Sequence, residues 1–227
     1  MTSTSSPTFD GIPQDAVTFY RELAADNSKV WWEANKARYA GSVREPLEHL
    51  LDGLEAEFGP ANLFRPYRDV RFSKDKTPIK DAQGAFVQTA AGMGWYVRIG
   101  ADGLMTGGGF HAHAPDQVAR FREAVDDEAS GRVLVRIVDT LVGARFDVGG
   151  ETLKTRPRGI PEDHPRLDLL RHKSLTVGRG HGIPDWLNTP AVRDHVRADW
   201  EAMRPLVDWL GQWVGPSTQP AQRGRPR

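Results

Sequence analysis

The sequence predicts an α+β protein: one domain over residues 9–214 in which a small antiparallel sheet packs with several helices, the last of them long and C-terminal. Three observations predict this class. Apolar residues recur at steps of three and four through the first quarter; short runs of β-forming residues punctuated by glycines crowd residues 68–110; helical spacing returns from Pro115 onward. Strands followed by helices, without regular alternation of the two, read as α+β rather than as a doubly wound parallel sheet.

Element by element, Ile12, Ala16, Phe19, Tyr20 and Leu23 define a helix opening near Pro13, and Trp31–Trp32 begins a second that runs to Tyr39. Val43, Leu47, Leu50, Leu51, Leu54 and Phe58 predict a continuous helix over 43–58, stopped by Gly59-Pro60. Strands are predicted at Asp69–Phe72, Ala85–Thr89, Trp95–Ile99 and Leu104–Thr106. The Asp102-Gly103 pair between the last two tolerates the positive backbone angles of a tight hairpin turn. Helices follow over 115–127 and 132–142, then strands at Leu153–Thr155 and Ser174–Gly178 around a helical turn near 165–172. Thr189 caps the final helix with Pro190 in its first position, and Pro205 is expected to kink it. Polar, proline-rich ends at 1–8 and 215–227 read as disordered tails, the second basic through Arg223, Arg225 and Arg227.

Lys and Arg number 30 and Asp and Glu number 30, so the whole molecule exerts no strong long-range pull on nucleic acid or on an anionic membrane. There is no cysteine, which excludes thiol catalysis, disulfides and thiolate metal sites and fits a reducing cytoplasm. The N-terminus lacks the basic start and apolar stretch of a secretory signal, and no apolar run reaches membrane-spanning length. A soluble cytoplasmic protein without a membrane partner is expected.

Charge is informative locally. Residues 65–80 hold Arg65, Arg68, Arg71, Lys74, Lys76 and Lys80 against only Asp69 and Asp75. A second basic stretch, 151–182, holds Lys154, Arg156, Arg158, Arg166, Arg171, Lys173 and Arg179 against four anions. Guanidinium forks suit bidentate contact with carboxylate or phosphate, and lysines add point charge, so this mixture suits an anion with several oxygens. Strand alternation over 69–72 turns Val70 and Phe72 to a core and Asp69, Arg71 and Ser73 to the opposite face. The competing structural reading pairs these cations with Asp69, Asp75 and the acidic helices of residues 1–64.

Several motifs carry less. Ser73-x-x-Lys76 matches the spacing of an acylating serine and its lysine, but that chemistry needs both on one helical turn and Pro78 opposes a helix there. Gly107-Gly108-Gly109 lacks a following Gly-Lys and reads as close backbone packing or a bulge, not as a phosphate loop. The glycines of 178–182 read as a flexible connection. His111 and His113 supply at most two metal ligands, and the sequence assigns no metal and no cofactor. Asp163-His164 offers either a carboxylate-oriented imidazole or a helix cap.

RDVRFSKDKTPIK at 68–80, the Trp31-Trp32 and Asn35-Lys36 pairs, the triple glycine, Arg120-Phe121-Arg122 and PRGIPEDHP at 157–165 resemble the uncharacterised family catalogued as domain of unknown function 2461. The resemblance spans residues 9–212, with RFSKDK its most specific part, and implies a compact protein without implying an activity.

The function expected from the residues is binding of a phosphate- or carboxylate-bearing small ligand at a basic pocket. Arg68, Arg71, Ser73, Lys74, Lys76 and Lys80 would form one wall and Arg158, His164, Arg171 and Lys173 the other. Two alternatives stand beside it: an enzyme acting on an anionic metabolite, with Asp69, Asp75 or His164 moving protons, and a nucleic-acid or protein interaction module. Ligand identity, catalysis, oligomeric state and the convergence of the two basic segments are not encoded in spacing.

Overall fold

The computed structural model describes residues 9–69, 71, 75–111 and 114–218. The element order is α1 (Gln14–Ala25), α2 (Lys29–Tyr39), a π-helical turn (Ala40–Arg44), α3 (Glu45–Asp52), α4 (Glu55–Phe58), β1 (Ala61–Leu63), β2 (Ala82–Ala90), β3 (Met93–Gly100), β4 (Gly103–Phe110), α5 (Pro115–Asp126), α6 (Glu128–Gly143), β5 (Asp147–Gly149), α7 (Leu167–Leu170), β6 (Leu175–Gly182) and α8 (Ala191–Trp213). The six strands form one antiparallel sheet in the order β1-β2-β3-β4-β6-β5. The predicted α+β class, with its antiparallel sheet and long C-terminal helix, is therefore the observed one. No helix among the described residues is long and apolar enough to cross a membrane.

The chain divides into two compact units, one of residues 1–85, 97–105 and 181–197, the other of residues 86–96, 106–180 and 198–227. In the first, the predicted stripe of α1 is buried through Ala16, Phe19, Tyr20 and Leu23. Ser28 caps α2 by accepting the Trp31 N–H at 3.1 Å. Phe19, Trp32 and Tyr39 meet as a ring cluster, with Trp32 and Tyr39 centroids 4.9 Å apart. The Tyr39 hydroxyl donates to Gln83 Oε1 at 2.5 Å, and burial pushes that phenol up to about 12.

The continuous helix expected over 43–58 is instead three pieces. Pro46 has no N–H for the carbonyl one turn back, and the backbone ahead of it widens into the π-helical turn 40–44 before α3 resumes with Pro46 in its first turn. Gly53 then ends α3 because its missing side chain makes room for Arg193: a Cβ there would lie 2.3 Å from Nε of that guanidinium. Arg193 donates to the His49 carbonyl at 3.1 Å and stacks over Phe9 at 4.4 Å. The apolar period survives all of this, with Val43, Leu47, Leu50, Leu54 and Phe58 buried.

The hairpin predicted at Asp102-Gly103 is present, with Gly103 at φ 95°. Tight packing enforces the glycine as well, since a Cβ there would sit 1.8 Å from the Gly182 carbonyl oxygen.

In the second unit, Trp95 and Trp200 clamp each other. Trp95 Nε1 donates to the Trp200 carbonyl at 3.2 Å, and Trp200 Nε1 donates to the Tyr96 carbonyl at 3.1 Å. Beside them the buried Asp199 accepts from Thr106 Oγ1 at 2.5 Å and pairs with Arg179 at 2.7 Å, while the guanidinium of Arg179 lies 3.9 Å over Phe146. The triple glycine runs within β4 as close packing: a Cβ on Gly109 would meet the Leu175 carbonyl at 2.3 Å, and one on Gly108 the Met203 sulfur at 3.1 Å. Two local expectations fail. Residues 178–182, read as a flexible connection, belong to strand β6, and the strand expected at 153–155 reduces to a single bridge between Thr152 and His172. The short strand β5, unforeseen in the sequence, pairs antiparallel with β6 through Asp147–Gly178, Val148–Val177 and Gly149–Thr176.

Residues 215–218, assigned to the C-terminal tail, are tied to α5. Asp116 accepts from the Ser217 hydroxyl at 2.8 Å and the Thr218 N–H at 2.8 Å, and Arg120 reaches the Pro216 carbonyl at 2.7 Å. Burial pushes the Asp116 carboxyl up, but these donors and the Arg120 guanidinium outweigh it and hold the group well below the usual carboxylate range. A depressed carboxyl lends stability above its unfolded pKa of about 3.9 and loses it as pH falls through the lower folded value. Amide exchange at 215–218 is thus expected to accelerate in strong acid, and Asp116→Asn should produce the same release at neutral pH.

Candidate functional site

The segment 65–81 is built around one clamp. Asn27, in the turn between α1 and α2, donates from Nδ2 to the Ile79 carbonyl at 3.0 Å and accepts the Ile79 N–H at 3.1 Å, so one amide side chain satisfies both main-chain groups of a buried residue. Ile79 is thereby positioned to bridge Tyr67 in antiparallel fashion, with Arg68 N–H donating to the Pro78 carbonyl and Lys80 N–H to the Pro66 carbonyl, both at 2.8 Å. Of the strand predicted at Asp69–Phe72, Val70 and Phe72 fall outside the described residues, and Asp69 and Arg71 belong to no strand. Ser73, Lys74 and His113 also lie outside the described residues.

The cations of this segment divide by partner. Arg71 forks onto Asp69 through Nε at 2.9 Å and Nη2 at 2.6 Å, both side chains largely exposed. That contact and the Arg71 N–H bring the Asp69 carboxyl down to about 2. Arg68 reaches Asp75 at 2.5 Å and Asp81 at 3.7 Å. Asp75 also accepts from the Thr77 N–H at 2.9 Å and hydroxyl at 2.7 Å, which hold its carboxyl below the usual range together with Arg68. Lys76 is exposed.

Arg65 and Lys80 differ. Neither forms an ion pair among the described residues; Lys80 instead lies 5.3 Å over the Phe64 ring. Burial, then the charges of Arg65 and Arg68, push the Lys80 ammonium below its ordinary range. Arg65, Arg68 and Lys80 therefore make the electropositive centre of the segment, flanked by the exposed rings of Phe64 and Tyr67. The sequence reasoning passed over both rings as site members, although Phe64-Arg65-Pro66-Tyr67-Arg68 interleaves aromatics and cations, a legible signal.

The second predicted wall belongs to the other unit. There Arg171 donates to the Leu153 carbonyl at 3.2 Å and the Lys154 carbonyl at 2.5 Å, and Lys173 pairs with Glu151, so both brace residues 151–154 around the Thr152–His172 bridge. Arg158 is exposed and makes no ion pair among the described residues. His164 is oriented by a carboxylate, but by Asp126 at 3.1 Å from Nε2 and not by its neighbour Asp163; its Nδ1 accepts the Arg166 N–H at 3.1 Å. With both ring nitrogens engaged, the imidazole has no lone pair turned to a substrate. Asp69 and Asp75, held ionised by their donors, are poor proton donors near neutral pH and weak bases. No group of three or more His, Asp or Glu among the described residues is arranged to hold a metal.

One groove in the first unit, of about 520 Å³, is lined by Arg44, Glu48, His49, Asp52 and Glu55 with the edge strand β1. None of the predicted ligand-binding residues lines it, and its charge is mostly acidic. The basic centre is thus a surface feature distinct from this groove.

The family model described as conserved hypothetical protein DUF2461 matches residues 15–209. No curated protein matches the chain.

Two measurements test this geometry. Asn27→Ala leaves the part-buried N–H and C=O of Ile79 without protein partners, and unfolding in urea is expected to show a loss of about 1–3 kcal/mol. Arg71→Ala should leave the thermal midpoint near wild type, because the pair is exposed, while NMR titration shows the Asp69 carboxyl returning from about 2 towards about 3.9.

Proposed function

For a chain that belongs to DUF2461, a family of conserved hypothetical proteins, we propose binding of a phosphate- or carboxylate-bearing small ligand at Arg65, Arg68 and Lys80. The observation that carries this reading is the gathering of these three cations around the Tyr67–Ile79 bridge, with no ion pair on Arg65 or Lys80 among the described residues. A multi-oxygen anion seated there supplies the missing negative charge and accepts from a guanidinium fork and an ammonium together. Lys76 contributes from the same loop, and Ser73 and Lys74 join the proposal on chain position alone. Arg71 is assigned a structural part, since both Nε and Nη2 of its fork hold Asp69, whereas Arg68 meets Asp75 through Nη1 and reaches Asp81 only at 3.7 Å. Arg171, Lys173 and His164 are left out because their donors serve their own loops.

Thermal stabilisation by inorganic phosphate, pyrophosphate and citrate provides the test, because a ligand of the folded state raises the midpoint by mass action. Pyrophosphate is expected to raise it in the intact chain. Arg65→Ala and Lys80→Ala should each weaken the apparent affinity roughly tenfold, as loss of a charge-assisted contact implies, and Arg71→Ala should not. Absence of any shift with all three anions at low salt would remove the proposal.

A further inference from the structure

A bare anion site does not need rings, yet this one has two, and both are held in place. Phe64 has its N–H bonded to the Gly84 carbonyl at 3.0 Å and its carbonyl to Gln83 Nε2 at 2.8 Å, and its ring is 37% exposed beneath Lys80. Tyr67 is 49% exposed; its bridge to Ile79 fixes the backbone, and its hydroxyl accepts from Trp32 Nε1 at 3.3 Å, with the two rings edge-on at 5.8 Å. Exposed rings on hydrogen-bonded backbone, beside Arg65 and Lys80, which form no ion pair among the described residues, combine the two contacts that a base and its phosphate require: a π-face to stack on and positive charge within reach of the same molecule.

We infer that Phe64 and Tyr67, with Arg65, Arg68 and Lys80, form a stacking-and-phosphate site for a ligand that carries both a nucleobase and a phosphate. This rests on the anion-binding reading above and narrows its ligand class. A mononucleotide and a short single strand share that chemistry. The cations take the phosphate, the rings take the base, and Lys80, already lying over Phe64, is placed to contact both.

The test titrates the full chain by calorimetry at low salt with inorganic phosphate, ribose 5-phosphate, adenosine 5′-monophosphate and an eight-residue oligothymidylate. The nucleotide is expected to bind roughly tenfold to a hundredfold tighter than the sugar phosphate, the range that one stacked base supplies. Phe64→Leu, which keeps apolar volume without a π-face, should erase that ratio while phosphate affinity persists, and Phe64→Trp should preserve it. Equal affinity for the nucleotide and the sugar phosphate, or a ratio that survives both Phe64→Leu and Tyr67→Ala, overturns the inference and leaves anion binding standing. Binding of none of the four ligands overturns both. Tighter binding of the oligonucleotide, weakening steeply with salt, assigns the source as a single strand; tighter binding of the monomer assigns a free nucleotide.

Discussion

One side-chain amide, that of Asn27, organises the region that carries the candidate site. A buried Ile79 with unsatisfied main-chain groups would cost about as much as several surface contacts return. By accepting the Ile79 N–H and donating to its carbonyl, Asn27 stands in for a neighbouring strand and ties the 65–81 segment to the turn between α1 and α2. The Tyr67–Ile79 bridge, the placement of Lys80 over Phe64 and the docking of Tyr67 on Trp32 all follow from that anchor. Charge alone would not have held these groups together, since Arg65, Arg68 and Lys80 repel one another.

Around this anchor two of the cations hold carboxylates of their own segment. Arg71 holds Asp69, two residues away, and Arg68 holds Asp75, seven away. Exposed pairs of this kind contribute little to stability but they consume donors. Arg65 and Lys80 form no ion pair among the described residues, although Asp69 lies four residues from the first and Asp75 five from the second. In the second basic stretch Arg171 holds the Leu153 and Lys154 carbonyls and Lys173 pairs with Glu151, so these two cations brace the loop.

Much of the fold was legible before any coordinates. The apolar steps of α1, α5 and α8 and the Asp102-Gly103 turn carried their own geometry, and the triple glycine was readable as close packing. The failures have specific causes. The helix over 43–58 was read from an intact apolar period, but the break comes from Pro46 and from a guanidinium that needs the space above Gly53, and neither alters the period. Residues 178–182 read as a glycine connection because glycine content says nothing of partners; they belong to β6, which lies between β4 and β5 in the sheet, with β5 reaching only as far as Gly178. For the candidate site, the basic segment was visible, whereas the division of labour within it was not.

By itself, the sequence determined the fold class, the order of most elements and the segment where charge concentrates, because periodicity, turn chemistry and composition act over a few residues. Only the tertiary structure decided that Arg71 holds its own chain's carboxylate, that Asp126 and not Asp163 orients His164, and that Phe64 and Tyr67 stand beside the cations left without carboxylates. Those outcomes depend on which partners arrive within about 3 Å, and partners distant in sequence, such as Asn27 for Ile79 or Trp32 for Tyr67, reach that distance only once the chain has folded.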